Sequence, residues 1–492
     1  MSSPLQVIYA TPEAEPWAKS GELADVAGSL PKALADQGAK VSVFLPCYRR
    51  PEIESLPKKR LDIELSIPVA DKRLRCRVYK AEPGKFDLYL IDNPPYFWRE
   101  HIYGTGREDY LDNDERFVFF ARAVLEFLIR AQRPVDIVHC NNWPTALIPA
   151  FMRTHYKRLK RFQQAGSLLS LHNVRYQGDF PLDSLTLTGL SWKHFDADGP
   201  AFKGRFNFLK AGVAFADALH TVSSSYRKDI LSVRYGFGMN ADLASRRKDL
   251  FTIRNGIDYE TWNPASDDYL AANYRPPDFQ GKAICRQDLI RKFGLLVGER
   301  TCVAGVISYF ARHKGLGILA EALEELLSLD IVLIVLGQGE AEFERSFRQA
   351  QRRWPGRMVL RMGFSPGEIH KLLAGADVIL IPSFHEPCGL NQMYGFRYGT
   401  VPVIRAAGGL KETVKPYGPG RREGDGFVFR DFSAAALISA MRQAVRVFKQ
   451  PRSWSRIMIA GTRRNFSWEK SAKKYMRLYH DILEYKRGGH VV

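Results

Sequence analysis

Residues 5–46 read LQVIYATPEAEPWAKSGELADVAGSLPKALADQGAKVSVFLP, and this stretch decides the fold class. The run LQVIYAT predicts a β-strand, LADVAGSLPKALADQG predicts a helix that ends near Gly38, and KVSVFLP predicts the next strand. A strand, a helix and a second aliphatic strand make up the βαβ unit of a parallel sheet that is covered on both faces. The sequence therefore predicts an α/β protein.

The same alternation of aliphatic runs and helical patterns continues along the chain. It restarts after about residue 265, where TCVAGVIS, DIVLIVLGQG and DVILIPS predict the strands of a second sheet. The polar segment 264–294, which contains paired prolines, is predicted to cross between the two halves. We therefore expect two doubly wound, Rossmann-like domains, residues 1–265 and 266–475, and a C-terminal helix within residues 476–492 that crosses back to the first domain.

The composition excludes several classes of protein. No run of about 18 apolar residues exists, and the first residues lack a basic start before an apolar stretch, so we expect no membrane span, no secretory signal and a cytoplasmic location. The six cysteines lack C-x-x-C spacing, which is typical of free thiols, and no metal site is expected. The net charge of +19 indicates either a solvated basic surface or an anionic ligand, and no motif indicates nucleic-acid binding.

Lysines and glycines stand where two predicted strands give way to helices. Lys19 and Gly21 follow the first strand, and Lys314 and Gly315 follow the strand TCVAGVIS. Ligands of open α/β sheets bind outside the carboxyl ends of the strands, and the N–H groups of a helix start favour an anion. Each lysine is therefore a candidate for a phosphate site, although an ordinary glycine-containing helix entry would also give the first pattern.

Other predicted strand exits carry groups that suit a sugar. His172 follows SLLSL, where a histidine either hydrogen-bonds a sugar hydroxyl or a developing charge, or lies in the core or caps a loop. Glu386 follows DVILIPS, where its carboxylate can hold ribose or sugar hydroxyls. Gly408 and Gly409 precede the next helix and offer backbone N–H groups to a phosphate or a sugar.

Longer motifs then resemble one family. KSGELADVAGSLPKAL, LHNVRYQGDFP, RNGIDYETWNPASD and EPCGLNQMYG resemble, in this order, motifs of the bacterial glycogen synthases and plant starch synthases, and the resemblance runs from about residue 5 to residue 485. It implies a GT-B fold, in which two Rossmann-like domains face a deep cleft. It also implies transfer of glucose from ADP-glucose to the non-reducing end of an α-1,4-glucan, with retention of configuration and without a metal or other cofactor.

The resemblance also implies roles for single residues and domains. The first domain would bind the glucan acceptor and the second the nucleotide sugar, with neither a nucleic acid nor a membrane as partner. Catalytic roles would fall to His172, Lys314 and Glu386. Substrate-binding roles would fall to Lys19, Gly21, Asp25, Asn142, Asn255, Gly408 and Gly409.

The sequence departs from the family pattern in four motifs. The patterns K-x-G-G-L, RLTxQKG, HDWH and RFEPCGL read KSGEL, YFARHKG, NNWP and FHEPCGL, which places Glu22, Tyr309, Asn142, Pro144 and Phe384 at altered positions. Loss of an arginine beside a diphosphate costs roughly 1.5–3 kcal/mol, and Glu22 would either repel the phosphates or pair with a cation such as Arg312. Three alternatives stay open: a glucan synthase with altered donor affinity, a transferase with another donor or acceptor, and a weakened relative that binds glucan.

Overall fold

The computed structural model describes residues 3–105, 108–191, 193, 201–202, 204–418 and 423–488. The chain divides into two compact units: unit 1 comprises Met1–Gly256 and Trp468–Val492, and unit 2 comprises Ile257–Ser467. The predicted boundaries lie at residues 265 and 475, whereas the chain passes between the units at 256–257 and at 467–468.

The strands of both units are numbered along the chain. They are β1 (Gln6–Ala10), β2 (Lys40–Pro46), β3 (Lys59–Arg60), β4 (Leu65–Val69), β5 (Lys72–Ala81), β6 (Asp87–Asp92), β7 (Ile137–Asn141), β8 (Gly166–Leu171), β9 (Asp179–Phe180), β10 (Ala201–Phe202), β11 (Arg205–Asn207), β12 (Ala218–Thr221), β13 (Leu250–Thr252), β14 (Cys302–Phe310), β15 (Ile331–Gly339), β16 (Met358–Arg361), β17 (Val378–Ile381), β18 (Val401–Arg405) and β19 (Phe427–Phe429).

The helices are numbered in the same way. They are α1 (Glu22–Asp36), α2 (Pro51–Glu54), α3 (Pro94–Phe97), α4 (Asn113–Arg130), α5 (Leu147–Arg153), α6 (Lys160–Gln164), α7 (Ser184–Thr188), α8 (Phe208–Phe215), α9 (Ser224–Ile230), α10 (Asn240–Ser245), α11 (Gln280–Phe293), α12 (Leu316–Ser328), α13 (Ala341–Arg353), α14 (Pro366–Gly375), α15 (Asn391–Arg397), α16 (Leu410–Thr413), α17 (Ala434–Phe448), α18 (Pro451–Thr462) and α19 (Trp468–Lys486). Short 3-10 helices cover Trp143–Thr145 and Arg312–Lys314.

Unit 1 contains a ten-stranded mixed sheet in the part of the chain that the structure describes. Its parallel part has the order β13-β12-β8-β7-β1-β2-β6, and β5, β3 and β4 extend it in antiparallel pairing. Strand β1 pairs with β2 on one side and with β7 on the other, so the chain order reverses between β1 and β7. The loops that follow these two strands therefore meet at the switch point where open α/β sheets bind their ligands.

Unit 2 contains a six-stranded parallel sheet with the order β16-β15-β14-β17-β18-β19. Successive residues of β14 feed two different cores: Ala304 and Val306 pack with α12 and α17, while Val303 packs on the opposite face. This alternation explains the aliphatic sequence of β14, because both of its faces are buried. The chain order reverses between β14 and β17, and the prediction of two doubly wound α/β domains is confirmed.

The polar segment 264–294 lies within unit 2, where its second half forms α11 and packs against α14. Lys282 fastens this contact from a buried position. Its Nζ donates to the carbonyls of Ala374 and Ala376, at 2.9 Å each, and to Thr400 Oγ1 at 2.8 Å. Apolar side chains complete the contact, since Leu289 of α11 and Leu372 of α14 belong to one buried cluster.

The last helix, α19, belongs to unit 1 and packs against α1 and β8. It buries Tyr475 and Tyr479. Residues 489–492 of the predicted C-terminal segment lie outside the described residues. Among the residues that the structure does describe, no helix combines the length and the apolar character that a membrane crossing needs.

Candidate active site

The loop between β1 and α1 contains a buried carboxylate that the sequence analysis missed. Glu13 accepts hydrogen bonds from the backbone amides of Ser20 and Gly21, at 2.6 and 3.1 Å, and from the hydroxyl of Tyr103 at 2.7 Å. These amides stand directly before α1, where the sequence analysis expects an external anion. A carboxylate of the protein therefore already uses the two N–H groups, and a phosphate at this loop needs other donors.

Lys19 has two counter-ions within its own loop and helix. Its Nζ lies 2.8 Å from Asp25 Oδ1 and 3.3 Å from Glu15 Oε2. Burial alone would lower the pKa of the Lys19 ammonium, but the two carboxylates outweigh burial and the pKa is raised. Burial raises the pKa of Asp25, against the opposing effect of Lys19. The structure thus brings Lys19 and Asp25 together, and it adds Glu15, which the sequence analysis did not single out.

Gly21 and Glu22 have different local explanations. Gly21 has an extended backbone with φ −156°, and a Cβ added to it would meet no atom of the described chain within 4 Å. Neither backbone conformation nor packing therefore requires glycine here, which leaves room for a ligand beside the main chain. Glu22 is the first residue of α1, where a negative charge interacts favourably with the helix dipole. Arg312, its suggested partner, pairs with Glu342 at 2.9 Å.

The ends of β7 and β8 hold His172 in place. Oδ1 of Asn142 accepts from the backbone amide of His172 at 2.9 Å and from that of Asn173 at 3.4 Å. Nε2 of His172 lies 2.9 Å from Oδ1 of Asn141. Burial, together with the nearby His220, lowers the pKa of His172 to about 3, so the ring is neutral at physiological pH. Asn142, which the resemblance assigns to substrate binding, therefore braces the loop that carries His172.

Two variants of Asn142, to alanine and to aspartate, test whether its side-chain oxygen holds the His172 loop in place. Asn142 has φ +55°, and alanine would lose the acceptor for two amides and adopt a left-handed conformation, at a cost of roughly 2–3 kcal/mol. Aspartate keeps an acceptor oxygen, so Asn142→Asp is expected to stay within about 1 kcal/mol of the wild type. Urea unfolding at pH 7.5 measures the free energy of unfolding of both variants. Equal losses of stability in the two would contradict the bracing role.

A second set of buried polar groups lies beneath His172. His139 Nε2 lies 2.6 Å from Ser170 Oγ, which lies 2.8 Å from His220 Nδ1. His139 Nδ1 lies 2.7 Å from the hydroxyl of Tyr479, and His220 Nε2 lies 3.0 Å from the carbonyl of Ile253. Burial lowers the pKa of His220 to about 4 and that of His139 well below its ordinary value. The only sequence signal for this neutral network is a histidine in each of two aliphatic strands.

Asn255, another residue that the resemblance assigns to substrate binding, follows β13 in unit 1. It is buried, and its Oδ1 has no hydrogen-bond partner among the described residues. Leaving a buried polar atom without a partner is costly, so such atoms are uncommon in folded proteins. This orphaned oxygen is an acceptor that a hydroxyl of a ligand can satisfy.

In unit 2 the two predicted catalytic residues form a close ion pair at the switch point. Lys314, in the 3-10 helix after β14, donates to both carboxylate oxygens of Glu386, at 3.0 and 2.9 Å. Ser383 Oγ donates to the same carboxylate at 2.9 Å. Burial raises the pKa of Glu386, but Lys314 and the hydrogen bonds outweigh burial and the pKa is lowered. The pair is therefore ionised, and the Lys314 side chain remains 23% exposed.

Two glycines let the backbones of the unit 2 loops approach each other. Gly315 has φ +76°, and a Cβ on it would lie 2.0 Å from the carbonyl oxygen of Pro382. Gly408 has φ +40°, and a Cβ on it would lie 2.0 Å from the carbonyl oxygen of Glu386. Gly409 donates its amide to the Glu386 carbonyl at 3.0 Å, so this N–H is used within the protein. The amide of Gly408 has no acceptor among the described residues and is the better candidate for a ligand contact.

The departures at Phe384 and Tyr309 have different surroundings. The guanidinium carbon of Arg405 lies 5.5 Å from the ring centre of Phe384 and 5.3 Å from that of Phe432. A guanidinium from the end of β18 thus stacks on the aromatic residue that stands in the arginine position of the family pattern. The side chain of Tyr309, on β14, is 56% exposed.

Across the described ranges, no group of three or more His, Cys, Asp or Glu side chains has the arrangement of a metal site.

Comparison with known proteins decides the family. The model of the starch synthase catalytic domain matches residues 6–245, and that of the group 1 glycosyl transferases matches residues 291–457. A glycogen synthase of Koribacter versatilis is 38% identical over 96% of this chain and 98% of its own length. The chain belongs to the glycogen and starch synthase family. A glycogen synthase of an Anaeromyxobacter species is 40% identical over 97% of this chain and 99% of its own length.

A solved structure of the family agrees with this assignment. The catalytic domain of starch synthase IV from Arabidopsis thaliana, bound to ADP and acarbose, superposes with a TM-score of 0.92 at 28% identity, over 98% of this chain and all of that one. A sucrose-phosphate synthase from Thermosynechococcus elongatus, 16% identical with a TM-score of 0.62, shares the fold. The predictions of a GT-B fold and of a glycosyltransferase of the glycogen synthase family are confirmed.

Proposed function

We propose that this enzyme transfers glucose from ADP-glucose to the non-reducing end of an α-1,4-glucan, with retention of configuration. The observation that carries the proposal is the ionised Lys314–Glu386 pair, at the point of the unit 2 sheet where nucleotide ligands of such sheets bind. The related starch synthase IV structure, which contains ADP and acarbose, supports the choice of an adenine nucleotide and a carbohydrate.

Lys314 supplies the main electrostatic contribution to the chemical step. The departing ADP gains negative charge, and a preorganised ammonium stabilises that charge more in the transition state than in the ground state. Glu386 and Ser383 fix the position of Nζ before the donor binds. The amide of Gly408 adds a neutral donor. Because Glu386 is already bonded to Lys314, its first role is to orient that cation, and its second is to accept from a donor hydroxyl.

Unit 1 contributes neutral groups that suit sugar hydroxyls and one cation for phosphate. The ring of His172 and the unpartnered oxygen of Asn255 are the acceptors, and Gly21 lets a ligand approach the main chain. Lys19, with Asp25 behind it, is the cation. No carboxylate is proposed as nucleophile: the leaving phosphate takes the proton of the acceptor hydroxyl on the face from which it departs, unlike the two-carboxylate hydrolases.

One observation favours a second candidate, a relative with another donor or with weakened transfer. Lys19 is already paired with Glu15 and Asp25, and two amides of the same loop are already bonded to Glu13. A phosphate must therefore compete with three carboxylates of the protein at this loop. Glu22, at the start of α1, adds a fourth negative charge.

A transfer assay with purified full-length protein decides among these functions. We expect radiolabelled glucose to pass from ADP-glucose to glycogen, and the label to be released by an α-1,4-specific amylase. Lys314→Met is the matched control and should abolish most of the transfer. Transfer from UDP-glucose alone would identify another donor class. ADP binding by calorimetry without transfer from either donor would identify a weakened relative and overturn the proposed activity.

A further inference from the structure

Asn141 ends β7, and its side-chain amide can have only one orientation. The side chain is fully buried. One end of the amide lies 2.9 Å from the carbonyl oxygen of Ala10, which can only accept, so this end is the NH₂ group. The other end is therefore Oδ1, and it accepts from the hydroxyl of Tyr9 at 3.1 Å. The ends of two neighbouring strands thus define the amide without reference to His172.

The orientation of Asn141 determines which nitrogen of His172 carries the proton. Oδ1 of Asn141 lies 2.9 Å from Nε2 of His172, and because Oδ1 only accepts, Nε2 must donate. A neutral imidazole has one N–H, so Nδ1 carries a lone pair. The centre of the His220 ring lies 6.5 Å from that of His172, and His220 is itself neutral. Nδ1 has no partner among the described residues, and the ring is only partly buried.

We propose that Asn141 is a positioning residue that selects the Nε2–H form of His172, so that the ring accepts a hydrogen bond at Nδ1 from a hydroxyl of the substrate. The inference rests on the proposed function for the identity of that substrate, and it narrows the role of the ring. In this form His172 can neither donate to a phosphate oxygen at Nδ1 nor act as a general acid. The ligand group that it recognises is therefore a hydroxyl, not an anion.

The choice of asparagine at position 141 follows from this role. Aspartate would lose the bond to the Ala10 carbonyl and place a charge beside Nε2, which favours an imidazolium with both nitrogens protonated. The family pattern HDWH has a histidine here, and a histidine can present either a donor or an acceptor to its neighbour. Asparagine, oriented by Ala10 and Tyr9, presents only an acceptor.

Nitrogen NMR of full-length protein labelled with ¹⁵N-histidine tests the proposal without any turnover. The signals of His172 are assigned from their loss in His172→Gln. At pH 7 we expect a protonated Nε2 and an unprotonated Nδ1, and the same pattern in Tyr9→Phe, which keeps both the Ala10 and the His172 contacts of Asn141. A protonated Nδ1, or an equal mixture of the two forms, in the wild type would overturn the proposal even if the transfer activity is present.

Asn141→Asp supplies a functional readout. We expect the His172 pKa to rise into the range of pH 6–8, both nitrogens to titrate together, and kcat/KM at pH 6 to fall about tenfold, the worth of one hydrogen bond. Raising the pH above the new pKa should restore kcat/KM, because deprotonation restores the lone pair. A loss that does not depend on pH would show a merely structural role. If the variant does not fold, the ¹⁵N spectrum of His172 in the wild type alone tests which nitrogen carries the proton.

Discussion

Replacement of Lys314 by methionine is expected to lower kcat/KM for glucosyl transfer roughly 30- to 1000-fold, which corresponds to about 2–4 kcal/mol of transition-state stabilisation. The reason is the charge that develops on the departing diphosphate, which a neutral side chain cannot stabilise. Initial rates at several concentrations of ADP-glucose, with glycogen in excess, measure the effect. Methionine keeps most of the side-chain length, so the loss reports the charge.

The structure adds a second effect of the same substitution. Glu386 is buried and ionised, and without Lys314 it would be a buried charge with no cation, at a cost of about 3–5 kcal/mol in the stability of unit 2. The double variant Lys314→Met with Glu386→Gln removes both charges and should regain most of the stability but not the transfer rate. Recovery of transfer in the double variant would mean that Lys314 acts only by neutralising Glu386, and would remove it from the donor site.

Acidification from pH 7 to pH 5 should destabilise unit 1 by as much as about 6 kcal/mol. His139, His172 and His220 each have a pKa that burial lowers, to about 3 for His172 and about 4 for His220. In the unfolded chain each titrates near 6.5, so below that pH the unfolded state binds more protons than the folded state. Stability is therefore complete above pH 6.5 and falls as pH decreases, by about 1.4 kcal/mol per pH unit for each histidine.

Hydrogen exchange of peptides from β7, β8 and α19 follows this loss within unit 1, with peptides of the unit 2 sheet as the internal control. His139→Gln and His220→Gln should each lower the stability at pH 7. Each should also reduce the slope of stability against pH by about 1.4 kcal/mol per pH unit, the contribution of one histidine. Exchange rates that show the same protection at pH 5 and pH 7, after correction for the intrinsic rate, would mean that the histidines are protonated in the folded chain.

The sequence predicts the architecture because the strand and helix periods of the buried elements are strong. It also points to Lys314 and Glu386, since both stand where an aliphatic strand ends, and parallel strands bring such ends to one edge. It does not indicate how α11 packs within unit 2. The buried side chain of Lys282 makes part of that contact, and a lysine in a polar helix gives no sign of burial.

The sequence does not predict the contacts of the carboxylates in the loop between β1 and α1, for a different reason. Glu13 folds back onto the amides of residues 20 and 21, and Glu15 reaches Lys19, because the loop turns within a few residues. Spacing along the chain does not encode that turn. The proton arrangement around His172 is equally hidden, since it depends on the Ala10 carbonyl, more than 130 residues before Asn141 in the chain and adjacent to it only in the sheet.

The position of α19 sets the order in which the two units are completed during synthesis. Unit 2 is one continuous segment, so all of its residues are present once residue 467 has left the ribosome. Unit 1, whose first segment precedes unit 2, still lacks the helix that supplies Tyr479 to His139 and packs Tyr475 beside His220. Until α19 is made, the side chains of Tyr475 and Tyr479 are missing from the core of unit 1. The surface of α1 and β8 that α19 covers is then open to water and to chaperones. Unit 1 is therefore completed only after every residue of unit 2 has been made.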